Sequence, residues 1–272
     1  MEKNKKKPLV SVRVVTYNQK DYIVQCLDSI VSQKTTFPFE IAISDDCSTD
    51  GTTEIIQTYF KRYPGLFRDI SPKKNIGAFE NFFHSVKNCC GKYTALIDGD
   101  DYWCDDLKLQ KQVDFMETHP NYSCCFHKVK VISENTQPDN IFDILREGNY
   151  SEDQIMAKWL IQPSSYLFRT ELASLMPEDK TGFMYDDIIL FLTVAEHGKC
   201  YCMNDIMSVY RRSDESWIGK QRGQKEIYEI TKLHYKTIGK HFRGVSKKTL
   251  IVLNIKNSIF KSVFYIRKFL HV

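Results

Sequence analysis

Apolar residues in the first hundred positions occur either in short unbroken runs or at helical spacing. Runs at 9–15, 39–44 and 93–97 are typical of buried strands. Similar helical spacing predicts helices around 55–60 and over 78–90. The clearest helical set comprises Tyr22, Ile23, Cys26, Leu27, Ile30 and Val31, in a helix that opens at Asp21. This alternation of strands and helices predicts a parallel sheet wrapped by helices.

The pattern is less regular after residue 105 but still mixes both kinds of element. Strands are predicted near 123–132, 199–203 and 207–211, and helices over 153–160 and 187–197. No internal repeat or low-complexity tract interrupts this order. We therefore predict an α/β domain whose two halves share one core. The halves and the tail that follows them are 9–105, 106–217 and a helical segment at 218–272.

Polar residues follow each of the first three predicted strands. Thr16 and Tyr17 come after the first strand, and Asp45 and Asp46 come after the second. The third strand runs directly into Asp98-Gly99-Asp100-Asp101. In open parallel sheets, ligands bind beyond the carboxyl ends of the strands, because loop amides and helix N-termini converge there. One nucleotide-sized site is predicted at that edge.

The acidic turn at 98–101 is the sharpest candidate for chemistry. Its three carboxylates repel one another, and a divalent cation relieves that repulsion. Mg²⁺ and Mn²⁺ commonly bind through one or two carboxylates plus phosphate oxygens. The alternative is a solvated acidic turn. Asp45 and Asp46 could accept hydrogen bonds from a ribose or a base, although their segment alone is more typical of a turn that caps a helix through Ser48 or Asp50.

Several ordered segments resemble the motifs of one family. They are Val14 to Asn18, Ser44 to Thr52, Asn75-Ile76-Gly77 with Asn81, and Gly91-Lys92-Tyr93 leading to Leu96 through Trp103. Together they are similar to family 2 glycosyltransferases with the GT-A fold, over a stretch from Val10 to about Trp217. The resemblance implies a Rossmann-like, mainly parallel sheet flanked by helices. It also implies that 9–105 binds the nucleotide sugar and that 106–217 binds the acceptor.

The same resemblance implies roles for single residues. Asp46 would contact the nucleobase, and Thr16 and Tyr17 would line the base and ribose pocket. Asp98 would lie beside the ribose and the metal, whereas Asp100 would be the principal protein ligand of Mn²⁺ or Mg²⁺. The implied donor is a nucleotide-diphosphate sugar, with UDP as the family's default nucleotide.

Two segments of the second half resemble further family motifs. Asp186-Asp187, at the start of a predicted helix, is similar to an acidic pair, usually Glu-Asp, beneath the acceptor site. By that match Asp187 is the general base of an inverting transfer and Asp186 supports it. The alternative is that both residues only favour the helix N-terminus electrostatically. Arg211 is similar to an arginine near the donor diphosphate, although Ser213 stands where many relatives have a histidine.

Other positions are left open. Cys47 stands where many relatives have glycine, a departure that could alter the turn without removing the carboxylates. Arg212 and Trp217 could support the action of the neighbouring arginine. Lys73 and Lys74 could contact phosphate, but such a pair is more typical of a solvated loop.

Composition and missing motifs exclude several classes of protein. The apolar run after the basic N-terminus is broken by Ser11 and Arg13, and no cleavage site follows, so no export signal is predicted. No window approaches the roughly 20 consecutive apolar residues of a spanning helix. Nine cysteines without zinc spacing are expected to be reduced and structural. The phosphate-binding loops of ATPases and dinucleotide enzymes are absent. A cytoplasmic enzyme is expected.

Two other functions are considered. A sugar-nucleotide nucleotidyltransferase would use a similar sheet and acidic metal site, but its first loop is usually glycine-rich, and 16–20 contains no glycine. A non-catalytic nucleotide-sugar-binding subunit fits poorly with the retention of Asp98, Asp100 and Asp187. The glycosyltransferase resemblance implies bacterial surface polysaccharide synthesis, with a glycan or lipid-linked acceptor.

Charge is distributed unevenly along the chain. The net charge is +4, yet ten Lys and Arg and no acidic residue follow Glu229, so the first 229 residues carry −6 (4 minus 10). A basic tail predicts an anionic partner. Helical apolar spacing from Ile255 favours an interfacial helix at the inner face of the cell membrane, with no role in nucleic-acid binding. The equal alternative is docking on the catalytic domain or on a second subunit of a homodimer.

Overall fold

The computed structural model describes residues 7–133, 145–158, 161–212 and 224–269. Its strands are β1 (Val10–Thr16), β2 (Phe39–Asp45), β3 (Phe67–Asp69), β4 (Tyr93–Asp98), β5 (Tyr102–Trp103), β6 (Tyr122–Ser133), β7 (Gly148–Tyr150), β8 (Leu167–Arg169) and β9 (Lys199–Arg212). Its α-helices are α1 (Lys20–Val31), α2 (Thr52–Arg62), α3 (Ala78–Lys87), α4 (Lys108–Thr118), α5 (Glu152–Lys158), α6 (Asp186–Ala195), α7 (Gln224–His241) and α8 (Lys247–Phe269). Short 3-10 helices occupy Pro163–Ser165 and Thr170–Leu175.

The described strands form one sheet that runs through both halves of the chain. Their order is β3-β2-β1-β4-β8-β6-β9-β5, and β7 pairs with β9 outside this path. β2, β1 and β4 are mutually parallel, as the sequence predicts, and β3, which the sequence pattern did not predict, is parallel to β2. The direction reverses at β8, which is antiparallel to both β4 and β6, and β6 is parallel to β9. The second half of the sheet is therefore mixed.

β9 corrects the prediction of two strands at 199–203 and 207–211. It is one strand, and its pairing with β6 shifts register because Met203 lies opposite His127 while Ile206 lies opposite Lys128. The residues at this bulge, 204–206, are exposed. Exposure interrupts the apolar pattern without ending the strand.

α4 is a helix that the sequence pattern did not predict. Its buried face combines Leu109, Val113 and Met116 with two polar residues, Lys108 and Gln112. Those polar side chains break the apolar stripe by which an amphipathic helix is recognised. By contrast, α1 buries Ile23, Cys26, Leu27 and Ile30, as its sequence spacing predicts.

Two large clusters of buried apolar residues lie on opposite faces of the sheet. One cluster includes residues of α1, α2 and α4, and the other includes residues of α3 and α6. Neighbouring residues of β6 alternate between them: Cys125 packs in the first, whereas Cys124 and Phe126 pack in the second. The first cluster contains residues on both sides of position 105. The two halves therefore share their packing.

The last two helices contribute to the second cluster. Ile238 of α7, Leu253 of α8, and Phe242 and Val245 between these helices are buried in it. Among the described helices, none is both long and apolar enough to cross a membrane. The C-terminal helix pair is thus packed against the α/β domain.

Candidate active site

The sheet brings the polar ends of β1, β2 and β4 to one edge. Val15 pairs with Asp98, and Thr16 pairs with Asp45. Gly99 allows the turn after β4 to lie against the β1 loop. A Cβ at Gly99 would lie 2.6 Å from Oε1 of Gln19 and 2.8 Å from Oγ1 of Thr16, which is closer than real Cβ contacts. The predicted juxtaposition of the strand ends is therefore present.

Asp98 is held by a buried arginine that the sequence analysis did not assign to the site. Arg13 of β1 is 1% exposed, and its Nη1 donates to Oδ1 of Asp98 over 2.9 Å. Its Nε donates to Oγ of Ser85 over 3.1 Å, and its guanidinium lies 4.6 Å from the ring centroid of Phe82. A charged residue inside the apolar run 9–15 was the signal, because a buried arginine requires a partner.

Asp100 and Asp101 differ sharply in their surroundings. Burial, followed by the charge of Asp98, raises the pKa of Asp100 to about 6. Asp101 is 1% exposed, and its two carboxylate oxygens accept from the backbone N–H of Arg211 (2.9 Å) and from Nε2 of Gln162 (2.7 Å). Burial and then the charge of Asp100 hold the pKa of Asp101 well above its usual range. Asp101 therefore ties the acidic turn to β9.

Arg211, at the end of β9, lies directly beside the acidic turn. Its Nη1 donates to the backbone carbonyl of Asp100 over 2.6 Å, and its Nη2 donates to Gln25. The guanidinium is 4.8 Å from the ring centroid of Tyr102 and 5.1 Å from that of Tyr22. Aromatic faces and two acceptors fix this cation at the edge where β4 ends.

The ends of β1 and β2 form the other side of the edge. Thr16 is buried, whereas Tyr17 is 49% exposed. Oδ1 of Asp46 accepts from the backbone N–H of Ile76, and Oδ2 accepts from that of Gly77, both over 2.8 Å. Each oxygen of a carboxylate has a second lone pair. Asp46 is 2% exposed; it thus orders the loop after β3, and each of its carboxylate oxygens can accept one further hydrogen bond.

The turn after β2 holds Cys47 in a backbone conformation that favours glycine. Cys47 has φ 62°, the left-handed region that glycine adopts most readily. Asn18, in the facing loop, is also left-handed with φ 53°. Its Oδ1 accepts from the backbone N–H of Thr49 over 2.8 Å, and its N–H donates to Oγ of Ser48 over 2.8 Å. These cross-links hold the two loops together.

Lys73 and Lys74 are both exposed in the loop before α3. Ser213 and Trp217 lie outside the described residues. The structure therefore adds no contact between these four residues and the edge formed by β1, β2, β4 and β9.

The acidic pair Asp186 and Asp187 forms the first turn of α6. The N–H of Asp187 donates to Oδ1 of Asp186 over 2.9 Å, and the N–H of Ile188 donates to Oδ1 of Asp187 over 2.8 Å. Burial raises the pKa of Asp186 to about 6, with the charge of Asp98 raising it and that of Arg13 lowering it. Asp186 is therefore within electrostatic reach of the acidic turn.

α7 supports the segment that precedes this pair. Nδ1 of His234 accepts from the backbone N–H of Met184 over 3.2 Å, and its ring lies edge-on 5.4 Å from that of Tyr185. A Cβ at Gly182 would come within 2.5 Å of Oγ1 of Thr237. The sequence analysis gave these α7 residues no role, because contacts to a segment about fifty positions earlier leave no local signal.

The donor groups at the edge fit a hard divalent cation that shares its coordination with a substrate. In the ranges that the structure describes, no group of three or more His, Cys, Asp or Glu side chains is arranged to hold a metal ion. Asp98 and Asp100 place carboxylate oxygens at this edge, and burial, followed by the charge of Asp98, raises the pKa of Asp100. Mg²⁺ and Mn²⁺ are commonly bound by one or two carboxylates plus phosphate oxygens.

The α/β sheet and the polar edge at its carboxyl ends define a GT-A protein. A family model for glycosyl transferase family 2 matches residues 11–186. The chain belongs to this family. Both the fold and the family predicted from the sequence motifs are confirmed.

Two relatives illustrate how far the likeness extends. Uncharacterized protein Rv1520 of Mycobacterium tuberculosis is 39% identical over 222 residues, which are 81% of this chain and 64% of that protein. The chain thus spans just under two thirds of this relative. TuaG of Bacillus subtilis, provisionally named a teichuronic acid biosynthesis glycosyltransferase, is 29% identical over 238 residues, or 84% of this chain and 91% of TuaG.

Solved structures share the fold. TarS 1-349 of S. aureus in complex with UDP has a TM-score of 0.67 at 19% identity, covering 91% of this chain and 70% of that one. The mannosyltransferase PcManGT from Pyrobaculum calidifontis, in complex with GDP-Man and Mn²⁺, has a TM-score of 0.68 at 19% identity, covering 91% and 69%.

Proposed function

We propose that this chain transfers a sugar, with inversion, from a nucleotide-diphosphate donor to an acceptor hydroxyl, and that it uses a divalent cation. The observation that carries the proposal is the convergence of the acidic turn, Arg211 and Asp186 at one sheet edge. The favoured donor is a UDP-sugar, the default nucleotide implied by the family motifs; among the fold neighbours, TarS is seen with UDP and PcManGT with GDP-Man. The name of TuaG supports a setting in bacterial surface polysaccharide synthesis.

The donor nucleotide is proposed to lie between the ends of β1 and β2. The half-exposed ring of Tyr17 offers a face for the base or ribose, and the buried Thr16 precedes it at the end of β1. Asp46 is anchored by two backbone amides, so that its remaining lone pairs have fixed directions. That geometry suits a hydrogen bond from a nucleobase. Residues 9–105 would therefore form the donor half.

The diphosphate is proposed to lie at the acidic turn. Asp100, together with Asp98, would hold Mn²⁺ or Mg²⁺, whose chemistry is to neutralise the charge that develops on the leaving diphosphate. Arg13 fixes one oxygen of Asp98, which leaves the other free to turn toward the edge. Arg211 places a second positive charge beside Asp100 and would stabilise the leaving group directly.

The acceptor is proposed to bind at the N-terminus of α6, within the half formed by 106–217. As the acceptor oxygen attacks the anomeric carbon, its proton must pass to a base, and a carboxylate within hydrogen-bond reach can take it. We assign that role to Asp187. Asp186, whose Oδ1 accepts from the N–H of Asp187, would orient the pair and face the donor side. A glycan or lipid-linked hydroxyl is the proposed acceptor.

Incubation with a panel of nucleotide sugars and Mn²⁺ tests this function. The wild-type chain should transfer or hydrolyse one donor, and EDTA should stop the reaction. Asp100→Ala should abolish turnover and the Mn²⁺-dependent thermal stabilisation by UDP. It should leave the fold intact, because it removes a carboxylate whose ionisation burial disfavours.

Asp114→Ala is the matched control, since Asp114 is an exposed residue of α4 remote from this edge. It should retain full activity. Full activity of Asp100→Ala in EDTA would contradict the metal assignment. Release of pyrophosphate from a nucleoside triphosphate and a sugar phosphate, without sugar transfer, would identify a nucleotidyltransferase instead.

A further inference from the structure

α8 carries apolar residues on two different sides. Leu253 is buried against the α/β domain. On the other side, Ile251, Val252, Ile255 and Ile259 are 59%, 43%, 53% and 57% exposed. Their spacing of i, i+1, i+4 and i+8 places them on one face of the helix. We call these four residues the outer stripe of α8.

The orientation of α8 is fixed by the rest of the molecule. In the turn before it, the N–H of Arg243 donates to Oε1 of Glu196 over 2.5 Å, and that of Ser246 donates to Oδ1 of Asp153 over 2.7 Å. Along the helix, Nδ2 of Asn257 donates to the carbonyl of Tyr228 on α7 over 3.2 Å. The outer stripe is therefore presented away from the domain on a helix whose inner side is already packed.

Two exposed lysines of α8 border the outer stripe. Lys248 and Lys256 of α8 are both exposed, and ten Lys and Arg with no acidic residue follow Glu229. Apolar side chains bordered by cations complement a bilayer surface, where anionic headgroups cover an apolar interior. A second copy of this chain fits less well, because a self-complementary contact would bring the same cations together.

We propose that the outer stripe of α8, with Lys248 and Lys256, docks the protein on the surface of an anionic membrane. This inference goes beyond the catalysed reaction and does not depend on it. It also reconciles the two alternatives for the tail, since the inner side of α8 packs on the domain while its outer side meets lipid. Because Val245 and Leu253 are buried in the core, removal of the tail would disturb the fold. Point substitutions are the cleaner test.

The experiment measures sedimentation of the full-length protein with vesicles of phosphatidylcholine alone or mixed with phosphatidylglycerol. Wild-type protein should bind only the mixed vesicles, and added salt should weaken binding. Ile251→Ser/Ile255→Ser should bind at least about tenfold more weakly, as expected for the loss of two half-exposed isoleucines from an interface. Lys248→Gln and Lys256→Gln should each weaken binding about fivefold.

Leu175→Ser/Ile206→Ser is the matched control, since these residues are 50% and 55% exposed elsewhere on the surface. It should bind like wild type, and thermal unfolding should show that all variants are folded. The proposal is overturned if wild-type protein ignores the mixed vesicles, or if the stripe variant binds as well as wild type. It is also overturned, in favour of a second copy, if light scattering shows a dimer that the stripe variant breaks while vesicles have no effect.

Discussion

Asp187 is the carboxylate to which we assign deprotonation of the acceptor. Asp187→Asn keeps the size of the side chain but removes the proton acceptor. Turnover should fall by at least ~10²-fold, the usual effect of losing a general base, while the dissociation constant of the donor stays close to that of wild type. Single-turnover kinetics and donor titration measure the two quantities. The product should have inverted anomeric configuration by NMR.

The neighbouring Asp186→Asn variant is the control for this assignment. Asp186 is electrostatically linked to Asp98, and burial raises its pKa to about 6, so it becomes protonated as the pH falls through that value. If its ionised form orients the pair, its loss should move the acid limb of the turnover profile and cost less than Asp187→Asn. A larger loss from Asp186→Asn than from Asp187→Asn would pass the role of base to Asp186.

Among the helices and strands, α4 is unusual because it buries the lysine side chain of Lys108. This side chain is fully buried at the first position of the helix, where a positive charge is unfavourable, and among the described residues no carboxylate forms an ion pair with it. Its Nζ donates to Oε1 of Gln112 over 2.6 Å and lies 4.1 Å from the ring centroid of Trp103. Burial lowers the pKa of Lys108 to about 7.

Lys108→Met should therefore stabilise the protein at and below neutral pH. Between pH about 7 and the usual lysine value, the unfolded chain binds more protons than the folded one, so this group makes wild-type stability rise with pH across that window. The variant should lack that rise. At pH about 6 its free energy of unfolding should be higher by roughly 1–4 kcal/mol, the range found when buried ionic groups are replaced by apolar residues of similar volume.

Urea unfolding at pH about 6 and about 9 measures this difference. Lys111→Met is a suitable control, because Lys111 is a partly exposed lysine of the same helix that pairs with Asp105. It should bring no comparable gain. A Lys108→Met protein that is less stable than wild type at both pH values would show that the amine contributes more through Gln112 and Trp103 than its burial costs.

α4 is also an example of a helix that the sequence pattern could not predict. The strands and helices from β1 to β4 could be predicted, with the exception of the short β3, because strands buried on both faces leave unbroken apolar runs. α4 could not, since Lys108 and Gln112 occupy its buried face. β9 was divided in two because a bulge exposes 204–206 without ending the ladder.

At the scale of the molecule, α7 joins the C-terminal helices to the acidic pair through His234. His234→Leu should leave the N–H of Met184 without its acceptor, at a cost of about 1 kcal/mol for a partly buried donor. Because the following residues lead into Asp186, turnover should fall several-fold while the KM for the donor changes little. His234→Asn retains an acceptor near Nδ1 and should recover much of the turnover. Equal losses in both variants would argue for packing alone.

The sequence could predict that the site residues lie close together, but not which other residues hold them in place. Parallel strands end at the same edge, so Asp46, Asp98 and Asp100 had to lie near one another once the strands were identified. Arg13 inside the apolar run 9–15 indicates a buried charge that needs a partner. Its partner Asp98, and the contact of His234 with Met184, could not be predicted, because both pairs are distant in sequence. The two-sided character of α8 was equally hidden, because apolar residues on opposite sides of a helix blur its periodicity.

Glu196 and Asp153 hold the turn before α8 through hydrogen bonds, and this limits the distance between a bound membrane and the active site. These hydrogen bonds fix the orientation of α8 on the domain. A membrane bound to the outer stripe would therefore lie at a fixed distance from the acidic edge. The enzyme would then favour acceptors whose hydroxyl lies at that distance from the membrane surface. Held in the same surface, enzyme and acceptor would also search two dimensions instead of three, which raises their effective concentration without any further contact.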